Sequence, residues 1–306
     1  MAVLLGSLEK RDWIDYSSLS MLQKCPRSYY WRVVRSVSPG SSAALINGKA
    51  YHEARAVYRE MRQNSVPHDE ALASALKAMT EVMKDIPDDD PKRNLSVATD
   101  TLIHYFESWR NDAYYKTKMV EVGFAFPVPG QDFCVVGKID EVAELPYGEV
   151  VMEFKTTTIA GERWHMRADV NLQIDIYLTA IYLLTGSLPY GGVLDVVHIH
   201  NDSRRRKPPF RIGPVPRSEQ DVELCLHDVV EWWKTLQRYH EDNIWPRHTE
   251  ACLPLIGYSC SFLQLCKEIP DPFTGTDFEL PSGYTIEKWA PWEALIVEKE
   301  VQDERN

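Results

Sequence analysis

Two neighbouring segments, "VVGKIDEVAEL" (135–145) and "GEVVMEFKTTT" (148–158), place charged side chains inside otherwise apolar runs. Asp140 lies in the first run, and Glu153 and Lys155 lie in the second. Two carboxylates that lie close together are suitable oxygen ligands for Mg²⁺ or Mn²⁺. A metal held in this way can activate a water against a phosphate ester, and a nearby amine can orient that water. The three residues therefore indicate a divalent-metal site.

The turn between the two segments, "LPYG" (145–148), determines whether these side chains meet. Proline in the second place and glycine in the fourth suit a type I turn. A hairpin centred between Pro146 and Tyr147 sets Asp140 opposite Glu153, with Lys155 on the same face. The same register sets Lys138 opposite Lys155, a repulsion that a bulge or a bound phosphate would have to relieve. A solvated face of a half-exposed sheet would give the same alternation.

The surrounding elements follow from periodicity and capping residues. The sequence predicts a mixed α/β domain in which helices precede and follow a compact group of strands. Serine caps and Pro26 predict a short helix over 17–26. Further helices are predicted over 46–63, 68–84, 96–113, 169–185 and 218–242, strands over 118–128, 132–145 and 148–158, and a hairpin over 192–213.

Composition limits the class of protein. The chain has 306 residues, of which 44% are hydrophobic, and nine tryptophans, which is typical of a globular protein. With no targeting segment and no unbroken apolar span, we expect a cytoplasmic protein without membrane contact and without disulfides among its six cysteines. The net charge of −11 does not favour nonspecific binding to nucleic acid, although acidic residues can be concentrated at a metal site.

Several motifs in one order carry a resemblance to a known family. "GKID", followed by "MEFK" with thirteen residues from Asp140 to Glu153, resembles the PD-(D/E)XK nuclease superfamily. "SSLSMLQKCPRSYYW", "GKAYHEA" and "QIDIY" are similar to the other landmarks of its RecB-like exonuclease branch. The similarity spans roughly residues 17–267. It implies a restriction-endonuclease-like α/β core sheet flanked by helices, with a helical insertion and a C-terminal region stapled by an iron–sulfur cluster.

The resemblance also implies one nuclease domain over 1–306. Within it, 17–116 would form an N-terminal helical part, 117–215 the catalytic α/β core, and 216–306 the C-terminal helix and cysteine-rich tail.

His52 begins "HEARA", which lacks the second histidine of the zinc-protease motif because Ala56 takes its place. Alone, His52 is an ordinary helical histidine, and Gln173 and Tyr177 are a surface residue and a core residue of one helix. The resemblance implies more specific roles. The metal ligands would be His52, Asp140, Glu153 and the main-chain carbonyl of Phe154, and the catalytic residues would include Lys155, with Gln173 near it and Tyr177 near the DNA phosphate.

Three cysteines, Cys252, Cys260 and Cys266, cluster in the tail, and Cys25 lies far upstream. By themselves they could be buried thiols or ligands of a zinc ion. The resemblance is to an iron–sulfur subgroup that includes CRISPR-associated exonucleases, and it implies a [4Fe–4S] cluster held by these four thiolates. Seven residues separate Cys252 from Cys260 where two are commoner, so His248 or Cys225 could replace Cys252. Apart from this alternative for Cys225, both Cys134 and Cys225 are expected to lie in the core.

The function that this resemblance implies is a metal-dependent DNA exonuclease acting on ends or single strands in DNA recombination, repair or processing. No Walker A motif is present, so a helicase, an annealing protein or CRISPR adaptation proteins are the implied partners. The basic run Arg204, Arg205, Arg206 and Lys207 is either a solvated hairpin tip or a DNA-phosphate contact. The alternatives are a catalytically weak DNA-end-binding or CRISPR-adaptation-like scaffold of the same fold, and a zinc-stapled interaction protein.

Overall fold

The structure is a computed structural model that describes residues 4–6, 12–40, 42–84, 86, 90–159, 161, 163–254, 259–269 and 279–289. Its strands are β1 (Leu4–Gly6), β2 (Asp12–Asp15), β3 (Val37–Ser38), β4 (Lys116–Pro127), β5 (Phe133–Leu145), β6 (Gly148–Thr157), β7 (Gly191–His198), β8 (Phe210–Pro216) and β9 (Thr285–Ile286). Its α-helices are α1 (Tyr16–Lys24), α2 (Pro26–Tyr29), α3 (Ala43–Gln63), α4 (His68–Met83), α5 (Leu95–Ser108), α6 (Arg163–Asp169), α7 (Leu172–Thr185), α8 (Glu219–Asp242), α9 (Thr249–Cys252) and α10 (Leu263–Glu268).

Seven of the described strands form one mixed sheet in the order β1–β4–β5–β6–β7–β8, and β2 pairs with β5 outside this path. The hairpins β4–β5, β5–β6 and β7–β8 are antiparallel, whereas β6 and β7 run parallel. In the β5–β6 hairpin, Leu145 pairs with Gly148 and Glu141 pairs with Met152. The predicted turn centre between Pro146 and Tyr147 is therefore confirmed.

The β5–β6 ladder is shorter than the sequence suggested, and its last pair is Glu141 with Met152. Before this pair, β5 is joined to β2 over residues 133–136, and β6 continues beyond it along β7. The expected contact between Lys138 and Lys155 is consequently wrong. The Nζ atom of Lys138 instead lies 2.8 Å from a carboxylate oxygen of Glu121 on β4. The two strands part at Asp140 and Glu153.

Helices cover both faces of the sheet, as the predicted α/β class requires. Helices α3, α4 and α5 pack against Phe154 and the end of β7 in one cluster of buried residues. Helices α1, α7 and α8 pack on the other face, against residues such as Leu194 and Val196. Two separate apolar cores therefore hold α3 and α7 on opposite sides of the parting strands.

The predicted helices are confirmed, with boundaries that differ by a few residues. The first helix ends at Lys24 because Cys25 is extended (φ −165°, ψ 108°) and Pro26 begins α2. Helix α8 begins with a capping box between Ser218 and Asp221, which satisfies N–H groups that a helix start leaves without partners. The sequence did not predict β2 or α6. No helix in the described part of the chain is both long enough and apolar enough to span a bilayer.

Candidate metal centre and active site

Asp140 lies where β5 and β6 part, and both of its carboxylate oxygens have partners. The backbone N–H of Phe154 donates a hydrogen bond of 2.8 Å to Oδ2. Oδ1 lies 3.3 Å from Nδ1 of His52, which reaches the site from α3. The ring of His52 packs edge-on against the ring of Phe154, with centroids 5.2 Å apart. Asp140, His52 and the main chain of Phe154 therefore meet at one point.

Glu121 joins this group from β4, although no motif in the sequence indicated it. Its neighbours Val120 and Val122 pair with Glu141 and Ile139, so Glu121 lies across from Asp140. Each of His52, Glu121 and Asp140 offers one ligand atom, and these atoms lie within 4.8 Å of one another. Glu121 has a left-handed backbone (φ 52°), which is costly for a residue other than glycine. One imidazole nitrogen and two carboxylate oxygens thus converge.

Glu153 and Lys155 form the second part of the site, on β6. Oε1 of Glu153 accepts a hydrogen bond from Nζ of Lys155. Nζ also donates to Oε1 of Gln173 at 3.0 Å, and Nε2 of Gln173 donates to the hydroxyl of Tyr177 at 2.8 Å. Tyr177 is only 4% exposed, which fits a role in holding Gln173 better than contact with a DNA phosphate. Helix α7 therefore fixes the position of the lysine.

The electrostatic surroundings of Asp140 and Glu153 give these two acids very different pKa values. Burial acts to raise the pKa of Asp140, but His52, the Phe154 N–H and Arg55 outweigh it and hold the pKa at about 2. Burial and the Asp140 charge raise the pKa of Glu153 to about 7, although Lys155 acts in the other direction. Burial acts to lower the pKa of His52, but the Asp140 carboxylate raises it overall. The site thus concentrates negative charge, which either a proton on Glu153 or a bound cation offsets.

A divalent metal ion fits these residues. Oε2 of Glu153 is buried and receives no hydrogen bond from the described residues. A buried carboxylate oxygen without a donor is costly, and a cation would remove that cost. The neighbouring donors of His52, Glu121 and Asp140 are two carboxylates and one imidazole, a set that Mg²⁺ or Mn²⁺ accepts.

A buried ionic network behind the site anchors α3. Arg55, one turn after His52, donates through Nη2 to Oε2 of Glu141. The hydroxyl of Thr117 donates to Oε1 of Glu141 at 2.6 Å. Glu141 follows Asp140 in β5 and points to the opposite face of the sheet. The network therefore fixes the helix that carries His52 against the strand that carries Asp140.

The cysteine-rich tail packs against the N-terminal helices. Nε of Arg27 donates to the carbonyl of Trp245 at 2.8 Å, and the N–H of Cys260 donates to the carbonyl of Cys252 at 2.9 Å. Burial, and then the neighbouring thiols, raise the pKa of Cys260; these thiols are those of Cys25, Cys252 and Cys266. The four residues therefore share one region. In the described residues, however, the groups of ligand atoms within 4.8 Å do not include these thiols.

The remaining cysteines lie elsewhere. Cys134 and Cys225 are 3% and 4% exposed, so their expected place in the core is confirmed. Cys225 lies on α8 beside Thr179 of α7, which does not favour it as a replacement for Cys252. His248 lies closer to the N-terminal helices, since its Nδ1 is 3.1 Å from the carbonyl oxygen of Lys24.

The basic run forms part of the connection between β7 and β8. Arg204 and Arg205 have side chains 88% and 76% exposed, and both lie near Asp202, at 3.1 Å and 3.8 Å. Arg206 instead donates to the carbonyl of Asp100 at 3.0 Å and so ties this tip to α5. The backbone N–H of Lys207 donates to Nδ1 of His198 at 3.0 Å. Strands β6 and β7 run parallel, so their C-terminal ends lie at the same edge of the sheet. Glu153 and Lys155 lie in the C-terminal half of β6. The basic run follows β7 and therefore lies beyond the same edge.

Comparisons with known proteins identify the family. No curated protein matches the chain. Among solved structures, SSO0001 is 14% identical, with a TM-score of 0.32 over 74% of this chain and 78% of that one. A protein from Eubacterium rectale, described as a "Putative exonuclease", is 12% identical, with a TM-score of 0.48 over 83% of this chain and 92% of that one. The family model of the PD-(D/E)XK nuclease superfamily matches residues 15–267, and the chain belongs to that superfamily.

Proposed function

We propose that this nuclease is a metal-dependent DNA exonuclease of the RecB-like branch, which hydrolyses phosphodiester bonds from DNA ends or single strands. The observation that carries the proposal is the convergence of His52, Glu121 and Asp140 beside the Glu153–Lys155 pair. A site of this kind meets the two requirements of phosphodiester hydrolysis, which are charge neutralisation and activation of a water.

Metal binding and the orientation of the water fall to different residues of the site. His52, Glu121, Asp140 and the free oxygen of Glu153 would hold Mg²⁺ or Mn²⁺, with the carbonyl of Phe154 as a further ligand. When bound, the ion supplies a lowered pKa for a coordinated water and positive charge for the phosphate. Burial acts to lower the pKa of Lys155, but Glu153 raises it overall, so the side chain is an ammonium at neutral pH. Lys155 therefore orients the water and stabilises negative charge on the phosphate.

An intact site favours an enzyme over a scaffold. A catalytically weak DNA-end-binding or CRISPR-adaptation-like scaffold of the same fold has no need of a lysine held by both Glu153 and Gln173. Nor does it need a histidine within 3.3 Å of a buried aspartate. The organisation that we propose is a single nuclease domain over 1–306. Residues 17–116 supply His52, residues 117–215 supply the acids and Lys155, and residues 216–306 supply the cysteine-rich tail.

DNA is the expected substrate, and Arg204, Arg205 and Lys207 are its proposed contacts outside the metal centre. The exposure of Arg204 and Arg205 supports this role. Arg206 is a weaker candidate because it is occupied with the carbonyl of Asp100. The proposed setting is DNA recombination, repair or processing, with a helicase, an annealing protein or CRISPR adaptation proteins as partners.

We also propose that Cys25, Cys252, Cys260 and Cys266 hold a [4Fe–4S] cluster that staples the tail to α1 and α2. The shared location of the four thiols supports it. Protein purified without oxygen should be brown, with about four irons per chain. Cys25→Ala should lose the iron, whereas Cys134→Ala should keep it. Stoichiometric zinc without iron would replace the cluster by a zinc site, and a stable brown Cys25→Ala variant would point to His248 as a ligand.

A comparison of linear and covalently closed circular DNA tests the exonuclease mode. In Mg²⁺ or Mn²⁺, end-labelled linear DNA should be degraded progressively from its ends, and the closed circle should stay intact. Linear single strands and duplexes in parallel reactions determine which form is the substrate. Nicking of the circle at the rate of linear cleavage would contradict the exonuclease mode and leave a metal-dependent endonuclease.

A further inference from the structure

A cavity of about 290 Å³ lies on the face of the sheet that α3 covers. It is bounded by the C-terminal half of α3, the segment after α5 and the start of β4. Four of its lining residues are basic: Arg59, Arg62, Arg110 and Lys116. Lys116 and Glu121 are five positions apart in β4, which corresponds to roughly 16 Å along an extended strand. The cavity is therefore distinct from the metal centre.

Buried donors without acceptors surround this cavity. Arg59 is only 6% exposed, and its Nε and Nη2 atoms make no hydrogen bond with the described residues. Its Nε atom lies 3.6 Å from Oε2 of Glu141, which is too long for a good hydrogen bond. The indole Nε1 of Trp109, another lining residue, is also buried without a hydrogen-bond partner in the described chain. A buried donor that lacks an acceptor costs about 1–3 kcal/mol, and a ligand that brings acceptor oxygens into this cavity would remove that cost.

The charges identify the acceptor as an anion. Asp112 is the acidic residue of the lining, and its carboxylate is already paired with the buried Arg211. Glu141, the acid nearest Arg59, already accepts from Arg55 and Thr117. Arg110 is partly neutralised, since it lies 3.6 Å from both Asp69 and Glu107. Positive charge therefore remains at this cavity, even though the whole chain carries a net charge of −11.

We propose that this cavity binds the phosphate group of a nucleotide. Guanidinium groups pair with phosphate oxygens through several charge-assisted hydrogen bonds, and phosphate offers enough oxygens for Arg59, Trp109 and the rim at once. The cavity is larger than a phosphate ion and has the aromatic side chains of Tyr58, Trp109 and Tyr115 in its wall, which leaves room for an attached nucleoside. The phosphate comes either from a free mononucleotide or from the end of a DNA strand. The proposal does not depend on the exonuclease mode.

Calorimetric titration of the full chain tests it. The Asp140→Asn protein is used in EDTA, so that neither a metal ion nor cleavage contributes to the signal. Inorganic phosphate and dAMP should each bind at one site. Lys116→Glu and Arg59→Met should each weaken both dissociation constants at least tenfold. Lys234→Glu, which makes the same charge change as Lys116→Glu at an exposed lysine of α8 on the other face of the sheet, should leave them unchanged. Lys116 is exposed, so Lys116→Glu decides the result if Arg59→Met does not fold.

Oligonucleotides then identify the source of the phosphate. A strand with a 5′-phosphate that binds more tightly than its 5′-hydroxyl counterpart, with the preference lost in Lys116→Glu, assigns the cavity to DNA ends. Equal binding of the two strands, with tight binding of dAMP, assigns it to free nucleotide. The proposal is overturned if phosphate and dAMP do not bind saturably, or if Lys116→Glu binds them as the parent does. Water alone would then satisfy the buried donors.

Discussion

The backbone N–H of Phe154 donates a 2.8 Å hydrogen bond to Oδ2 of Asp140, one residue beyond the last pair of the β5–β6 ladder. The other oxygen of this carboxylate lies 3.3 Å from Nδ1 of His52. One carboxylate thus holds two strands together through one oxygen and faces the candidate metal centre through the other. Its structural and chemical contributions can be separated by substitution.

Asp140→Asn should abolish metal-dependent cleavage and leave the thermal unfolding temperature close to that of the wild type. The amide oxygen can still accept from Phe154, but the charge that binds a metal is gone. Asp140→Ala should also lose about 1–3 kcal/mol of unfolding free energy, because a buried N–H then has no acceptor. Gel assays and urea unfolding give the two readouts. Asp132→Asn, at an exposed position, is the matched control, and full activity in Asp140→Asn would remove Asp140 from the mechanism.

The backbone conformation at Glu121 favours glycine, whereas metal binding requires the glutamate carboxylate. Glycine adopts the left-handed backbone of this position (φ 52°) at no steric cost. The metal-free Glu121→Gly protein should therefore be about 1 kcal/mol more stable than Glu121→Gln. Both variants should bind Mn²⁺ more weakly and cleave more slowly, because both lack the carboxylate. Wild-type Mn²⁺ affinity in both would show that Glu121 only neighbours the centre.

Metal affinity should depend on pH through Glu153. Its pKa is raised to about 7, so near neutral pH the metal-free protein holds a proton that the metal must displace. The apparent affinity for Mn²⁺ should fall roughly fivefold from pH 7 to pH 6, and the raised pKa of His52 acts in the same direction. Calorimetry across this range measures the effect. Glu153→Gln should flatten the dependence, and an affinity that stays constant in the wild type would refute this assignment.

The raised pKa of Glu153 makes the metal-free protein less stable as the pH rises, whereas the affinity for Mn²⁺ increases with pH. Between the ordinary glutamate value of 4.5 and about 7, the folded state binds more protons at Glu153 than the unfolded state does. The contribution of Glu153 to the unfolding free energy is therefore present below pH 4.5 and is lost as the pH rises through about 7. Urea unfolding of wild-type and Glu153→Gln proteins in EDTA should show this loss in the wild type only.

Arg55 and Glu141 should behave as a coupled pair. Arg55→Met leaves the buried Glu141 carboxylate without its main partner and should cost about 3–5 kcal/mol of unfolding free energy. Adding Glu141→Gln removes the uncompensated charge, so the double variant should be more stable than Arg55→Met alone. Lys84→Met, in the exposed pair with Glu81, is the control and should leave the unfolding free energy close to that of the wild type. Additive losses in the double variant would contradict this coupling.

The part of the site that the sequence predicted is the part that local chemistry determines. Pro146 and Gly148 fix a short turn, and the turn fixes which residues of β5 and β6 face each other. The end of the ladder could not be predicted in this way. It depends on β2, residues 12–15, which pairs with β5 more than one hundred positions away. For this reason the expected contact between Lys138 and Lys155 does not occur.

Glu121 was beyond sequence reasoning for a similar reason. A single acid in "KMVEVGFAFPV" looks like any polar residue of a half-exposed strand. Its place across from Asp140 depends on the β4–β5 register, which shifts between Thr117 and Met119. Its left-handed backbone leaves no mark in the residue types either. The Arg55–Glu141 contact likewise joins a helix and a strand that are 86 residues apart.

Mn²⁺ binding and DNA cleavage, measured on the same preparations of wild type, Asp140→Asn and Glu121→Gln, test the central claim most directly. We predict that the wild type binds Mn²⁺ and degrades end-labelled DNA, and that EDTA stops the cleavage. Asp140→Asn should lose both properties, and Glu121→Gln should show both reduced by a similar factor. Undiminished cleavage in excess EDTA, or wild-type Mn²⁺ affinity in Asp140→Asn, would contradict a metal centre built on these residues.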